Sequence, residues 1–168
     1  MLRVNIIAPS GNTLKKEDIF PMTLPIMPAA TEFDYSVEDS SSLLARFEQA
    51  PNWQERYRQI MLLGKTLPSL ADEFRIEAAQ VKGCESDAWL YHIERDAKHY
   101  FLADSDARIV KGLIGLLLSA CHGKQSDEIL AFDPSTYFKQ LGLEGQLSPS
   151  RTNGLHALAK AMIDAVKP

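Results

Sequence analysis

Apolar positions recur along this chain at two different periods, and the change from one to the other outlines the fold. "LLARFEQA" reads as a short helix, with Ser40 to Ser42 available as N-caps and Pro51 as its stop. Asn52 opens a second helix, where Glu55 completes a pattern like a capping box. Trp53, Tyr57, Ile60, Met61, Gly64 and Leu67 fall at helical spacing and predict one apolar face, ended by Pro68. The period then changes. In "AWLYHI", Trp89, Tyr91 and Ile93 alternate with Leu90 and His92, the pattern of a strand. "ERDAK" reads as a polar turn and "HYFLA" as the antiparallel return, with "AQVKG" a candidate short strand before them.

Helical spacing resumes after "ADSDA". Asp104 or Ser105 can cap a helix from Asp106 to about Cys121 that is apolar nearly all round, as a buried central helix should be. Gly112 and Gly115 allow neighbouring backbones to come close, and Gly123 suits a C-cap. "SDEILAF" predicts a short helix. Asp133 with Pro134, and Ser148 with Pro149, start two more. Leu155, Leu158, Ala159, Met162, Ile163 and Val166 form the core face of the last. The predicted class is α+β: a small antiparallel sheet of two to three strands packed with several α-helices.

Residues 1–42 differ from the rest. "FPMTLPIMPAATEFDYSVEDSSS" is rich in Pro, Ser and acids and lacks a helical period. The expectation is a flexible N-terminal extension with a short ordered piece at "RVNIIA", followed by one domain over 43–168. Met22 is an alternative start.

Composition narrows the function classes. A length of 168 residues suits one core. A net charge of −4 gives no electrostatic support for nucleic-acid binding, which leaves a protein or small-molecule partner. Two cysteines are too few for a disulfide framework and fit a reducing cytosol, so a cytoplasmic location is expected. "GLIGLLLSAC" is too short to cross a bilayer, and no apolar stretch near the N-terminus predicts a secretory signal.

The candidate chemistry centres on Cys84, in "VKGCESDAW". It follows Gly83, lies where a loop enters a strand, and has polar neighbours. A nucleophilic thiol and a small packed hydrophobe are both compatible with this. Glu85 and Asp87 disfavour a thiolate. Arg151, in the first turn of the last helix, is a candidate counter-charge, with a surface ion pair as its alternative. Cys121 lies in the apolar helix and is expected to pack. His92 and His99 can meet across the hairpin, but no pair has a metal-ligand spacing, and no metal is expected. Phosphate and dinucleotide motifs are absent from the sequence. Lys111 reads as a snorkelling lysine rather than a holder of pyridoxal phosphate.

Four stretches in order, "NWQERYRQIMLLGKTLP", "GCESDAW", "DSDARIVKGL" and "LSPSRTNGL", resemble the SufE family of sulfur acceptors, and within it the CsdE-like branch. The resemblance spans about residues 43–167. It implies a SufE/IscU-like fold and a partner, a cysteine desulfurase of the SufS or CsdA kind, which carries pyridoxal phosphate while this chain carries no cofactor. It implies that Cys84 accepts persulfide sulfur and passes it to a downstream acceptor protein, toward iron–sulfur cluster assembly or another thiolation pathway. Gly83, Ser86 and Trp89 match the acceptor loop, Asp104, Ser105 and Asp106 the "DSD" turn near it, and Arg151 the arginine of "SxSR". Asp87 departs from the family pattern, where that place is commonly neutral or basic. The alternatives are an iron–sulfur assembly scaffold, which two cysteines serve poorly, and a non-catalytic desulfurase-binding module.

Overall fold

The structure, a computed structural model, describes residues 3–7, 13–14 and 26–168. Residues 1–2, 8–12 and 15–25 of the expected flexible arm, and with them Met22, lie outside the described residues. The elements run β1 (Arg3–Ile7), β2 (Thr13–Leu14), α1 (Ser40–Gln49), α2 (Trp53–Lys65), β3 (Ala88–Arg95) and β4 (Lys98–Ser105). They continue with α3 (Arg108–Cys121), β5 (Lys124–Gln125), α4 (Ser126–Ala131), α5 (Pro134–Gln140) and α6 (Pro149–Ala165). The class is α+β, and the predicted hairpin forms the middle of the sheet. β3 and β4 pair antiparallel from Ala88↔Ser105 to Arg95↔Lys98. Asp96 and Ala97 turn the corner with φ of 54° and 62°.

The sheet is wider than the two to three strands expected, with order β2-β1-β3-β4-β5. β1, from "RVNIIA", pairs with β3, and two short strands extend the edges. Two-residue strands carry no readable period, so the alternation rule could not find them. "AQVKG" is not a strand. Its Gln80 makes a single bridge to Trp89 after a 3₁₀ turn over Glu77–Ala79.

Both faces of the hairpin are covered. Leu90, Phe101 and Ala103 face the helical body built on α3, whose Leu113, Ile114, Leu116 and Leu117 are buried. Trp89, Tyr91, Ile93 and Leu102 face a second, smaller core closed by Phe33, Leu70 and Phe74. Phe33 is fully buried although it lies in the Pro- and acid-rich stretch. Beside it the Tyr35 hydroxyl donates to the Phe101 carbonyl and the Tyr35 ring stacks on His122. Residues 26–42 thus contribute to the core.

α2 and α3 meet at glycines. A Cβ on Gly112 would overlap the Ile60 carbonyl, and one on Gly64 would lie 2.9 Å from the Gly112 amide nitrogen. Close backbone approach is the reason for both. On α2 the buried residues are Ile60, Leu63 and Gly64, whereas Tyr57, expected on the core face, is exposed. Two caps also differ from expectation. Asp39, not a serine, caps α1, and α3 starts after Ala107 without a side-chain cap. Asp104 is diverted to other partners, described below. Asn52, Asp133 and Ser148 cap as read.

Candidate functional site

The loop carrying Cys84 is tied by hydrogen bonds at its base, and its tip is largely exposed. The Val81 amide donates to the Ala88 carbonyl at 2.8 Å. The Ser105 hydroxyl donates to the Asp87 carbonyl at 2.7 Å, and the Asp106 amide to the same oxygen at 3.3 Å. The Asp87 carboxylate accepts from the Gln80 side chain at 2.6 Å. Lys82, Gly83 and Glu85 are exposed. Gly83 has φ +94°, a conformation costly for any residue with a Cβ, and it lies close under Ala157 of α6.

Cys84 is half-buried and lies against the first turns of α6. Its Sγ sits 3.6 Å from the Gly154 carbonyl oxygen, a weak S–H contact. A Cβ on Gly154 would come within 3.3 Å of the Cys84 Cα. The loop can pack this closely because position 154 has no side chain. Around the thiol is a cleft of about 10 Å³, room for about one water-sized sphere, lined by Ser86, Val110, Leu113, Arg151 and Leu155 among others. Burial pushes the Cys84 thiol above its ordinary pKa. The resting thiol is therefore protonated near neutral pH.

Cys84, Ser86 and Arg151 share this cleft, and Gly83 adjoins it. The Arg151 amide is used by the Ser148 cap, while its guanidinium makes no ion pair with any described residue.

Trp89, Asp104 and Asp106 are not around the thiol. They belong to a second cluster joined by Arg75, beneath the loop. Arg75 bonds Asp104 at 2.9 Å and Asp106 at 2.8 Å, and its guanidinium lies 5.1 Å from the centre of the Trp89 ring. Asp104 is buried and also accepts from the Leu70 and Ser105 amides, each at 2.8 Å, with the Lys111 ammonium at 3.3 Å. Two amides and two cations compensate a buried carboxylate well. Lys111 thus serves this aspartate.

Two contributors escaped the sequence reading. Gly154 carried a signal: it is a glycine inside a helix, where only a packing reason offsets a cost of about 1 kcal/mol relative to alanine. Arg75 carried none, because "SLADEFRIEAA" has no period. Cys121 is fully buried in α3, with its thiol pushed up to about 12 by burial. His92 and His99 do meet, Nε2 to Nδ1 at 2.8 Å, and His99 reaches the Ser126 hydroxyl at 2.6 Å. Among the described residues, no three His, Cys, Asp or Glu side chains converge as a metal would require.

The pattern of the family described as "SufE: Fe-S metabolism associated domain" matches residues 41–166. The chain belongs to the SufE family. Its curated SufE-family relatives include the sulfur acceptor protein CsdE of Escherichia coli K12, 43% identical over 129 residues, covering 76% of this chain and 88% of that protein. The cysteine desulfuration protein SufE of Wigglesworthia glossinidia brevipalpis is 37% identical over 120 residues, covering 71% and 83%. A solution structure of a hypothetical protein from Thermus thermophilus superimposes with a TM-score of 0.60 at 21% identity, covering 77% of this chain and 94% of that one. That likeness concerns the fold. Among the described residues no helix is long and apolar enough to cross a membrane.

Proposed function

We propose that this chain is a sulfur acceptor for a pyridoxal-phosphate-dependent cysteine desulfurase, with Cys84 as the accepting thiol. The observation that carries the proposal is the position of Cys84: one half-buried thiol at the tip of a loop with a fastened base, in a chain whose relatives are named sulfur acceptor and cysteine desulfuration proteins.

In the transfer, the Cys84 thiolate attacks the terminal sulfur of the desulfurase persulfide. A new S–S bond forms on Cys84, the old one breaks, and its electron pair leaves on the desulfurase cysteine as a thiolate. No net oxidation occurs. The rate depends on thiolate fraction and access, and the resting geometry limits both. The loop tip must leave Gly154 for the thiol to meet water and the donor. Gly83 supplies the pivot, and the ties at Asp87 and Val81 hold the base. Arg151, whose guanidinium has no carboxylate partner among the described residues, is positioned to favour the thiolate as burial is relieved. Withdrawal of the loaded loop into the cleft then shields the persulfide from stray thiols. The sulfur passes to a downstream acceptor protein by the same exchange.

A cluster scaffold is less well supported, because Cys121 is fully buried in α3 and Cys84 alone cannot ligate a cluster. Incubation with desulfurase and L-cysteine, followed by intact-mass and peptide mass spectrometry, tests the proposal. One added sulfur is expected on Cys84, lost in Cys84→Ser and kept in Cys121→Ser. Sulfur on any other residue, or binding and stimulation that survive Cys84→Ser, would overturn it.

A further inference from the structure

The end of α2 takes no part in the Cys84 cleft, yet it forms a cavity of its own. Where α2 stops at Lys65 and the chain turns through Pro68, an open cleft of about 400 Å³ lies against the start of α3. Met61, Lys65, Leu67, Ser69, Arg108 and Lys111 line it. Three cations thus converge on one space in a chain of net charge −4. Lys65 and Arg108 are exposed, and neither makes an ion pair with a described residue. Lys111 is held by the Ser69 hydroxyl at 3.2 Å and by Asp104 at 3.3 Å.

The carboxylates bonded to this region do not neutralise it. Asp104 is shared between Lys111 and Arg75, and Asp106 pairs with Arg75 alone, so four cations stand against two acids. α3 opens the cleft with its first-turn amides lacking a side-chain cap, which adds partial positive charge. Met61 and Leu67 add apolar surface to the lining. Cationic and apolar side chains lining one cleft open to solvent suit a peptide segment that carries carboxylates and an apolar side chain.

We propose that this cleft receives an acidic segment of a protein partner, and, resting on the function above, that the partner is the sulfur-donating desulfurase. The two places flank the same end of α3 from opposite sides, about one helix diameter of 10 Å apart, which lies within the footprint of one partner. Val110 and Leu113 of α3 line the Cys84 cleft, while Arg108 and Lys111 of the same helix end line this one. The cleft would orient the donor while the loop carries the thiol.

The test uses the full chain, isotopically labelled for amide NMR, titrated with a Glu/Leu hexapeptide and separately with inorganic phosphate. The peptide is expected to shift the amides of Lys65, Ser69, Arg108 and Lys111, less so at high salt, and not in a Lys65→Glu/Arg108→Glu variant. Both substituted side chains are exposed, so this variant should fold. Its affinity for the desulfurase should fall about tenfold or more, while Cys84 still takes up sulfur from inorganic polysulfide. Peptide shifts located elsewhere overturn the inference. So do shifts with phosphate but not peptide, which would make this a small-anion site, and so does unchanged desulfurase affinity. Intact peptide binding without any sulfur uptake by Cys84 would support the cleft while sinking the proposed function.

Discussion

The Cys84 Sγ lies 3.6 Å from the Gly154 carbonyl oxygen, so the thiol of the loop is parked against the one position of α6 that has no side chain to keep it away. Adding a methyl at position 154 should move the loop rather than the helix. The loop tip is exposed, whereas α6 is anchored by Leu155, Leu158 and Met162. Gly154→Ala is expected to leave stability unchanged or slightly raised, since alanine favours helix by about 1 kcal/mol. Alkylation of Cys84 by iodoacetamide should become several-fold faster, and more so in Gly154→Val. Alkylation at the unaltered rate in both variants would show that the loop does not rest on this surface.

The two thiols should respond differently to pH. Burial disfavours the thiolate of each, raising Cys84 above its ordinary value and Cys121 to about 12. Native alkylation of Cys84 should therefore rise with pH and reach its midpoint above that of a free cysteine. Cys121 should label only after denaturation. A midpoint for Cys84 at or below the free-thiol value would mean that Arg151 already stabilises a thiolate in the resting state.

Asp104→Ala removes the acceptor of two amides and two cations at a buried position. The expected loss is about 3–5 kcal/mol in urea unfolding, since the partners are left uncompensated. Because Ser105 and Asp106 hold the base of the Cys84 loop, faster hydrogen exchange at Val81 and Asp106 should accompany it. Asp106→Ala, losing an exposed carboxylate, should cost under about 1 kcal/mol.

His122 provides an acid-sensitive latch. Its Nδ1 accepts from the Phe101 amide at 3.0 Å, and its Nε2 donates to the Tyr35 carbonyl at 3.2 Å, so the folded ring is neutral. Burial pulls its pKa down from 6.5 to about 4. Between those values the unfolded chain binds the proton and the folded one does not. Stability is therefore full above pH 6.5 and falls as pH drops through this window, by up to about 3 kcal/mol. Urea midpoints from pH 7 to pH 4 measure this, and His122→Gln should flatten the decline.

Ala97 turns the β3–β4 hairpin with φ 62°, a left-handed conformation that glycine adopts at lower cost. Ala97→Gly is expected to stabilise the fold by about 0.5–1 kcal/mol, read as a higher urea midpoint. An unchanged or lower midpoint would show that glycine's extra freedom in the unfolded chain offsets the relief.

Some of this protein was determined by its sequence alone. The two strands of the hairpin and the alternating faces of the first followed from its period, because side chains on a strand point to opposite faces with period two. The apolar helix α3 and the caps at Asn52, Asp133 and Ser148 followed from local rules that depend on neighbours in the chain. Cys84 and Arg151 were legible as candidates from their local chemistry, and Ser86 through the family resemblance. What surrounds them was decided by tertiary structure. Phe33 has no periodic neighbours to mark it, yet it closes the second core. Trp89, Asp104 and Asp106, matched by motif to the loop and the turn near it, gather on Arg75 at the base of that loop. The Cys84 loop rests on Gly154, far along the chain, because a missing side chain leaves space there. Local rules read what one segment prefers. Close approach, shared burial and charge compensation depend on which segments meet, and that emerges only when the chain has folded.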